Sequence, residues 1–217
     1  MAPQSLISEL EYKGWATIPG IRDEQSLMAL AHELGTPLPN PTGQKISQLR
    51  IQARAAARPN TLSAKFGTGA FPLHTDTAFW LVPARFLVMR VIGDNRRSTL
   101  VCPFHGLTNL AGENFPAVVR ESIWTVRLSG TLVYTPMTLR PRGIRYDTGC
   151  MNPANRAAEK FERAMSEIAP LVDAKKIHWS EGMAAVIDNW QCLHGRGAEP
   201  SLEGERILQR IYVGEKR

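Results

Sequence analysis

The sequence predicts a mainly β protein, a double-sheet jelly roll with helices packed outside. Three observations carry this: many short alternating or β-branched runs, only a few helical stretches, and no regular alternation of strand and helix such as a doubly wound sheet needs. Of the 217 residues, 43% are hydrophobic and 21% charged, which suffices for one substantial core. A single domain over 1–217 is expected, with 1–45 as a helix-and-strand scaffold and 46–217 as the jelly-roll core with inserted helices.

Residues 5–12 read as a short helix stopped by Gly14, followed by a strand at 15–18 and a turn at Pro19-Gly20. Asp23 is placed to cap a second helix, in which Leu27, Leu30, Ala31 and Leu34 recur at helical spacing and which Gly35 ends. Residues 37–45, rich in Pro, Gly and Asn, read as a loop, and 46–54 as a strand. Short β-type segments follow around 73–75, at 85–92 and at 98–101, then a helical patch over 107–122. Further strands are expected at 124–128, 131–134 and 143–147. One helix interrupts them, with Asn152 as cap, Pro153 in the first turn, and Ala157, Phe161, Met165 and Ile168 as its apolar stripe. Strands at 183–187 and 207–213 complete the pattern, and the Gly- and Pro-containing stretches 58–70 and 195–205 are candidate mobile lids.

The formal net charge is +6, but the basic residues are scattered. Their densest clusters, Arg96-Arg97 and the group Arg140, Arg142 and Arg145, have no interleaved aromatics to stack bases, which argues against nucleic acid as a ligand. A positive field that attracts a small anionic substrate accounts for the same charge. No apolar run approaches the ~20 residues that cross a bilayer, and the first ten residues lack a basic stretch followed by a hydrophobic one, so a cytoplasmic protein without membrane association is expected. Cys102, Cys150 and Cys192 are odd in number and form no C-x-x-C pair, which points to reduced thiols.

The sharpest local feature is the segment from Phe71 to Asp76, where His74 and Asp76, two apart on an extended stretch, present their side chains on one side. A His-x-Asp pair is common by chance and can equally be a surface hydrogen bond. Iron(II) in an oxygenase adds a second histidine and keeps other coordination positions open. His32, His105 and His178 lie in scaffold or turn contexts, whereas His194 follows the β-like run 184–190 and precedes Gly195-Arg196-Gly197. Downstream, Arg206 and Arg210 are four apart on an expected strand and so share a face, where a guanidinium can grip a carboxylate through two parallel hydrogen bonds.

With these residues in view, the chain resembles the taurine dioxygenase-like and clavaminate synthase-like iron(II)/2-oxoglutarate oxygenases, over nearly its whole length. His74-Thr75-Asp76 is similar to the family's His-x-Asp, followed by a Pro-containing turn at 81–84 and a strand from Arg85 to Val91. Thr99 stands where such enzymes have a threonine for the distal carboxylate of 2-oxoglutarate. Asp188-Asn189-Trp190 with His194 resembles the segment leading into the distal ligand, and Arg206 with Arg210 the terminal arginine pair. The resemblance implies an iron site of His74, Asp76 and His194, with 2-oxoglutarate held by Arg206 and Thr99 and dioxygen as the further co-substrate. It also implies hydroxylation of an unactivated C–H bond of a small polar, anionic or amino-acid-like metabolite, with succinate and carbon dioxide as co-products. Asp76 supplies the carboxylate that halogenating relatives lack, which favours hydroxylation. Arg210 is the first candidate for a substrate anion, with Thr77, Arg196, Arg145 and Tyr146 after it, while Trp80 and Trp190 are candidate pocket walls. Asp188 or Asn189 can fix the tautomer of His194 or simply form the turn into the strand. Dimers are common among such enzymes, which leaves a homo-oligomer open.

Two departures stand out. Arg96-Arg97 replaces a pair of glycines common before the threonine, and the interval between Asp76 and His194 is short, which implies trimmed lid and substrate loops. Three rivals are distinguishable by their needs. A nucleic-acid-directed oxygenase with the same cofactors wants a basic groove with stacking aromatics. A non-catalytic jelly-roll binding protein has no use for an intact triad. A zinc hydrolase can use two His and one carboxylate but does not need Thr99 or Arg206.

Overall fold

The computed structural model describes residues 4–57, 61–93, 97–140, 142–199 and 207–216. The chain opens with helix α1 (Gln4–Lys13) and strand β1 (Trp15–Pro19), then α2 (Glu24–Leu34), β2 (Thr36–Leu38) and β3 (Ile46–Arg50). After a single 3₁₀ turn come α3 (Leu62–Phe66), β4 (Phe71–His74), β5 (Phe86–Ile92) and β6 (Thr99–Pro103). The middle holds α4 (Phe104–Ala111), α5 (Phe115–Glu121), β7 (Ile123–Leu128), β8 (Thr131–Pro136), β9 (Asn152–Pro153) and α6 (Arg156–Ile168). The chain closes with β10 (Lys175–Ile177), β11 (Met183–Asp188), β12 (Cys192–Arg196) and β13 (Ile207–Gly214).

Three antiparallel sheets result. The major sheet runs β1-β11-β5-β13-β2, with β3 also paired to β13; the minor sheet runs β10-β6-β12-β4, and the third β8-β7-β9. Strand alternation sorts the major sheet's side chains between two cores. Phe86, Val88, Ala184, Val186, Ile211 and Val213 face α1 and α2, whose Leu6, Leu10, Leu27, Leu30, Ala31 and Leu34 cover that side. Leu87, Met89, Val91, Ala185, Ile187, Leu208 and Tyr212 face inward and meet Val101, Ile177 and Cys192 of the minor sheet. The minor sheet's other face, through Leu73, Cys102 and Leu193, packs on α4, α5, α6 and the third sheet, around Trp124 and Phe161. This is the predicted two-sheet jelly roll with outer helices, and its interior lies between the major and minor sheets.

The α2 start follows from Asp23 and Ser26, which cap reciprocally: Ser26 N donates to Asp23 Oδ1 at 2.7 Å and Asp23 N to Ser26 Oγ at 3.3 Å. Gly35 after it is required by space, because a Cβ there would lie 2.0 Å from the Gly214 carbonyl oxygen. Gly35→Ala is therefore expected to push α2 away from β13 and to lower stability by about 1–3 kcal/mol in urea unfolding; unchanged stability would mean that the two backbones are not in close approach.

Several elements differ from the sequence reading. The helix expected from Asn152 starts instead at Arg156, capped by Asn155, whose Oδ1 accepts from Ala158 N at 2.9 Å. Asn155 also ties the helix to β7 by accepting from Ile123 N and donating to Glu121 O, while Asn152–Pro153 forms β9 against β7. The buried stripe accordingly includes Ala158 rather than Ala157. The patch at 107–122 is two helices, α4 and α5, parted at Gly112, and the strand from 46 stops at Arg50. Residues 143–147 form only an isolated bridge, Thr138 with Ile144, because their backbone groups bond to Thr75 and Trp190. Strand β2 overlaps the stretch read as a loop and β12 the one read as a lid, while β10 lies where no strand was expected. Of the two candidate lids, 61–70 contains α3 and 195–196 belongs to β12, whereas 58–60 and 200–205 lie outside the described residues. Among the described residues no helix is long and apolar enough to cross a membrane.

Candidate metal centre

His74 ends β4 and His194 lies in β12, and the two strands place these residues directly opposite each other. His194 also pairs with Val101 of β6, so both imidazoles enter the interior between the sheets. The rings lie 4.5 Å apart between centroids. Asp76 Oδ1 is 3.6 Å from His74 Nε2 and 3.7 Å from His194 Nε2, and one ligand atom from each of the three residues lies within 4.8 Å of the others. All three side chains are nearly buried.

The protonation pattern suits a cation. His74 Nδ1 lies 2.9 Å from the Pro72 carbonyl oxygen, to which it can only donate, so Nε2 keeps its lone pair. Burial works against the charge on Asp76, but the Arg210 guanidinium and the two neighbouring imidazoles hold its carboxyl well below the usual range. Burial and the neighbouring His74 push His194 down, towards the neutral ligand form. Burial also opposes charge on His74, yet Asp76 and Asp147 together leave its affinity for a proton raised, the signature of a basic nitrogen beside anions. Two imidazole nitrogens and one carboxylate oxygen that converge between the sheets form the donor set that non-haem Fe(II) takes.

Compared with models of protein families and with curated proteins, the sequence matches none. Solved structures do match. An asparagine oxygenase, solved with Fe(II), 3-hydroxyasparagine and succinate, superposes with a TM-score of 0.73 at 17% identity, covering 97% of this chain and 78% of that one. PvcB from Pseudomonas aeruginosa gives 0.70 at 18%, covering 97% and 79%. OrfP with Fe and alpha-ketoglutaric acid gives 0.71 at 17%, covering 97% and 78%. This is the fold of the iron oxygenases.

Within the oxygenase fold the remaining candidates divide sharply. Arg210, on β13 across the interior, directs Nη1 to Asp76 Oδ2 at 2.5 Å and lies over the Tyr212 ring. Thr99 faces the interior from β6, opposite Arg196, and its Oγ1 accepts from Trp179 Nε1 at 3.0 Å. Arg206 lies outside the described residues.

The other sequence candidates bond to neighbouring backbone or pack in the core rather than reach the triad. Thr77, in a left-handed conformation with φ 55°, donates its hydroxyl to Asp76 O and accepts from Ala84 N, which closes the turn after the triad. Arg145 donates to the carbonyls of Ala78, Trp80 and Leu81, and burial lowers its pKa to about 10. Arg196 stacks on Phe71 at 3.6 Å and donates to the carbonyls of Gly67 and Gly69. Tyr146 points its ring into the outer core against Phe161 and Trp124, while its backbone N and O bond to Thr75. Trp190 donates from Nε1 to Pro83 O, and Trp80 meets Tyr212 edge-on at 5.4 Å.

Neither Asp188 nor Asn189 reaches His194, whose Nδ1 is buried without a hydrogen-bond partner among the described residues. Asp188 accepts from Trp190 N and Gln191 Nε2 and lies 3.6 Å from Arg85 Nε. Asn189 clamps Asp76 instead: its Oδ1 accepts from Asp76 N at 2.8 Å, and its Nδ2 donates to Asp76 O and Ala84 O, each at 2.9 Å.

Sequence reasoning overlooked Pro72, whose carbonyl fixes the His74 tautomer, Trp179, which orients Thr99, and Gly195. A glycine inside a strand marks close backbone approach, and a Cβ on Gly195 would lie 2.7 Å from Phe71 O. That signal was available beside His194.

Proposed function

We propose that the chain is an Fe(II)- and 2-oxoglutarate-dependent dioxygenase that hydroxylates an unactivated C–H bond of a small, polar, amino-acid-like metabolite. One observation carries the reading: His74 Nε2, His194 Nε2 and Asp76 Oδ1 converge on the inner face of a jelly roll. His74 and His194 would hold the metal from the minor sheet, Asp76 would supply its single negative charge, and Thr99 with Arg206 would receive 2-oxoglutarate. Iron and 2-oxoglutarate supply oxygen activation when bound, with succinate and carbon dioxide as co-products. The chain's own part is to fix the ligands, orient the substrate and exclude water. Buried aromatic and aliphatic walls, Tyr212, Leu208 and Ile187, provide that dry surround.

Amino-acid chemistry is supported by the neighbours in fold: the asparagine oxygenase structure holds a hydroxyasparagine, and one OrfP structure a (3S)-hydroxy-L-Arg. Nucleic acid is disfavoured because Arg97 and Arg145, members of the two densest basic clusters, are buried and donate to backbone carbonyls. The test is anaerobic addition of Fe(II) and 2-oxoglutarate to the purified chain. A weak visible metal-to-ligand charge-transfer band, followed by succinate formation on admitting oxygen, is the expected result. A folded, iron-loaded protein that gives no such band would sink the oxygenase reading and favour a jelly roll used for binding.

A further inference from the structure

Asp76 divides its two oxygens. Oδ1 lies 3.6 and 3.7 Å from the histidine Nε2 atoms, while Oδ2 lies 2.5 Å from Arg210 Nη1. The two residues come from opposite sides of the interior: Asp76 follows β4 of the minor sheet, and Arg210 stands in the middle of β13, paired with Ser47 and Met89. A carboxylate free at its second oxygen can rotate and chelate a cation through both. One tied to a guanidinium offers a single oxygen, and a guanidinium does not release its proton to escape the pairing.

We infer that Arg210 is a positioning residue, which holds Asp76 as a one-oxygen ligand and so keeps coordination positions open for co-substrate and dioxygen. This rests on the reading of the triad as a metal site. It gives Arg210 a role besides the substrate-anion one that the sequence suggested: Nη1 is engaged by the ligand carboxylate, while Nε is buried without a hydrogen-bond partner among the described residues.

One readout separates this role from the others. A guanidinium beside a dication repels it, so if Arg210 acted by charge alone, its removal would tighten metal binding. If it received substrate, its removal would leave metal affinity unweakened. Only a residue that holds Asp76 to one oxygen changes the coordination number when lost, which the d–d intensity reads.

The experiment titrates the full chain with Co(II), in the absence of 2-oxoglutarate, and reads the affinity and the d–d absorption of wild type, Arg210→Met and Arg210→Lys. Expected in Arg210→Met is a less intense d–d band, as the second carboxylate oxygen joins and coordination number rises, with affinity held or raised by the added donor. Arg210→Lys, which keeps the buried charge opposite Asp76, should fall between the two and guards against a variant that merely unfolds. An unchanged d–d band, or loss of Co(II) binding, in folded Arg210→Met would overturn the inference and leave the metal site standing. A folded wild type that takes up no Co(II) would overturn the metal-site reading and the inference with it.

Discussion

Asp76→Ala is expected to abolish stable Fe(II) binding and, separately, to destabilise the metal-free protein by about 3–5 kcal/mol. Both effects come from one carboxylate. Oδ1 is the only anionic ligand atom of the triad, and Oδ2 neutralises Arg210 inside the interior, where the side chains of the pair are 12% and 15% exposed. Alanine leaves the arginine buried without a counter-charge among the described residues. Replacing a buried pair by apolar groups is often close to neutral, so Asp76→Ala combined with Arg210→Met should regain most of the stability while metal binding stays lost. Urea unfolding in the presence of a chelator, together with Fe(II) titration, reads the two effects independently. A single variant as stable as wild type in chelator would show that the ion pair is not buried.

Asn189→Ala should cost about 4 kcal/mol and weaken metal binding without touching any ligand atom. Asn189 is fully buried and serves three backbone groups: Asp76 N, Asp76 O and Ala84 O. Asp76 O retains the Thr77 hydroxyl in the variant, but Asp76 N and Ala84 O are left unsatisfied, at about 1–3 kcal/mol each. The freed Asp76 backbone then samples orientations that no longer aim Oδ1 at the histidines. Urea unfolding and Co(II) titration of the variant measure this. A loss below about 1 kcal/mol with unchanged affinity would mean that Thr77 alone holds the turn.

What the sequence made legible was periodic or terminal. Nearly continuous apolar runs at 85–92, 183–187 and 207–213 identified three central strands to within one residue at either end, as suits strands buried on both faces. Helix α2 was readable because its cap, apolar stripe and terminating glycine agree. Strand β12 was not, since Cys192-Leu193-His194-Gly195-Arg196 has no β-branched residue and takes its strand geometry from β6 and β4 on either side. Edge strand β10, with Lys175 and Lys176, carries the charges that guard an edge and so lacks a hydrophobic signature. In the site, residue type and spacing located the triad, but direction was invisible. Thr77, Arg145 and Arg196 are donors near the right place whose hydrogens go to backbone carbonyls of the surrounding turns. Asn189 read as a partner for a histidine because the histidine was the neighbour in sequence; the aspartate it clamps is distant in sequence and adjacent only once β4 and β12 have paired.

Strand β13 gives the molecule a particular vulnerability during synthesis. It fills the slot between β5 on one side and β2 and β3 on the other. Until residues 207–214 have left the ribosome, β5 and the short N-terminal strands have unpaired edges facing each other across a gap. Apolar side chains of two cores, Leu208 and Tyr212 on one face and Ile211 and Val213 on the other, are also missing from that gap. A nascent chain of this design cannot mature from its N-terminus forward, and must wait for a late segment while exposing adhesive edges. Its yield in a cell should therefore depend on chaperone supply and on translation speed between β5 and β13 more than on the stability of the finished fold.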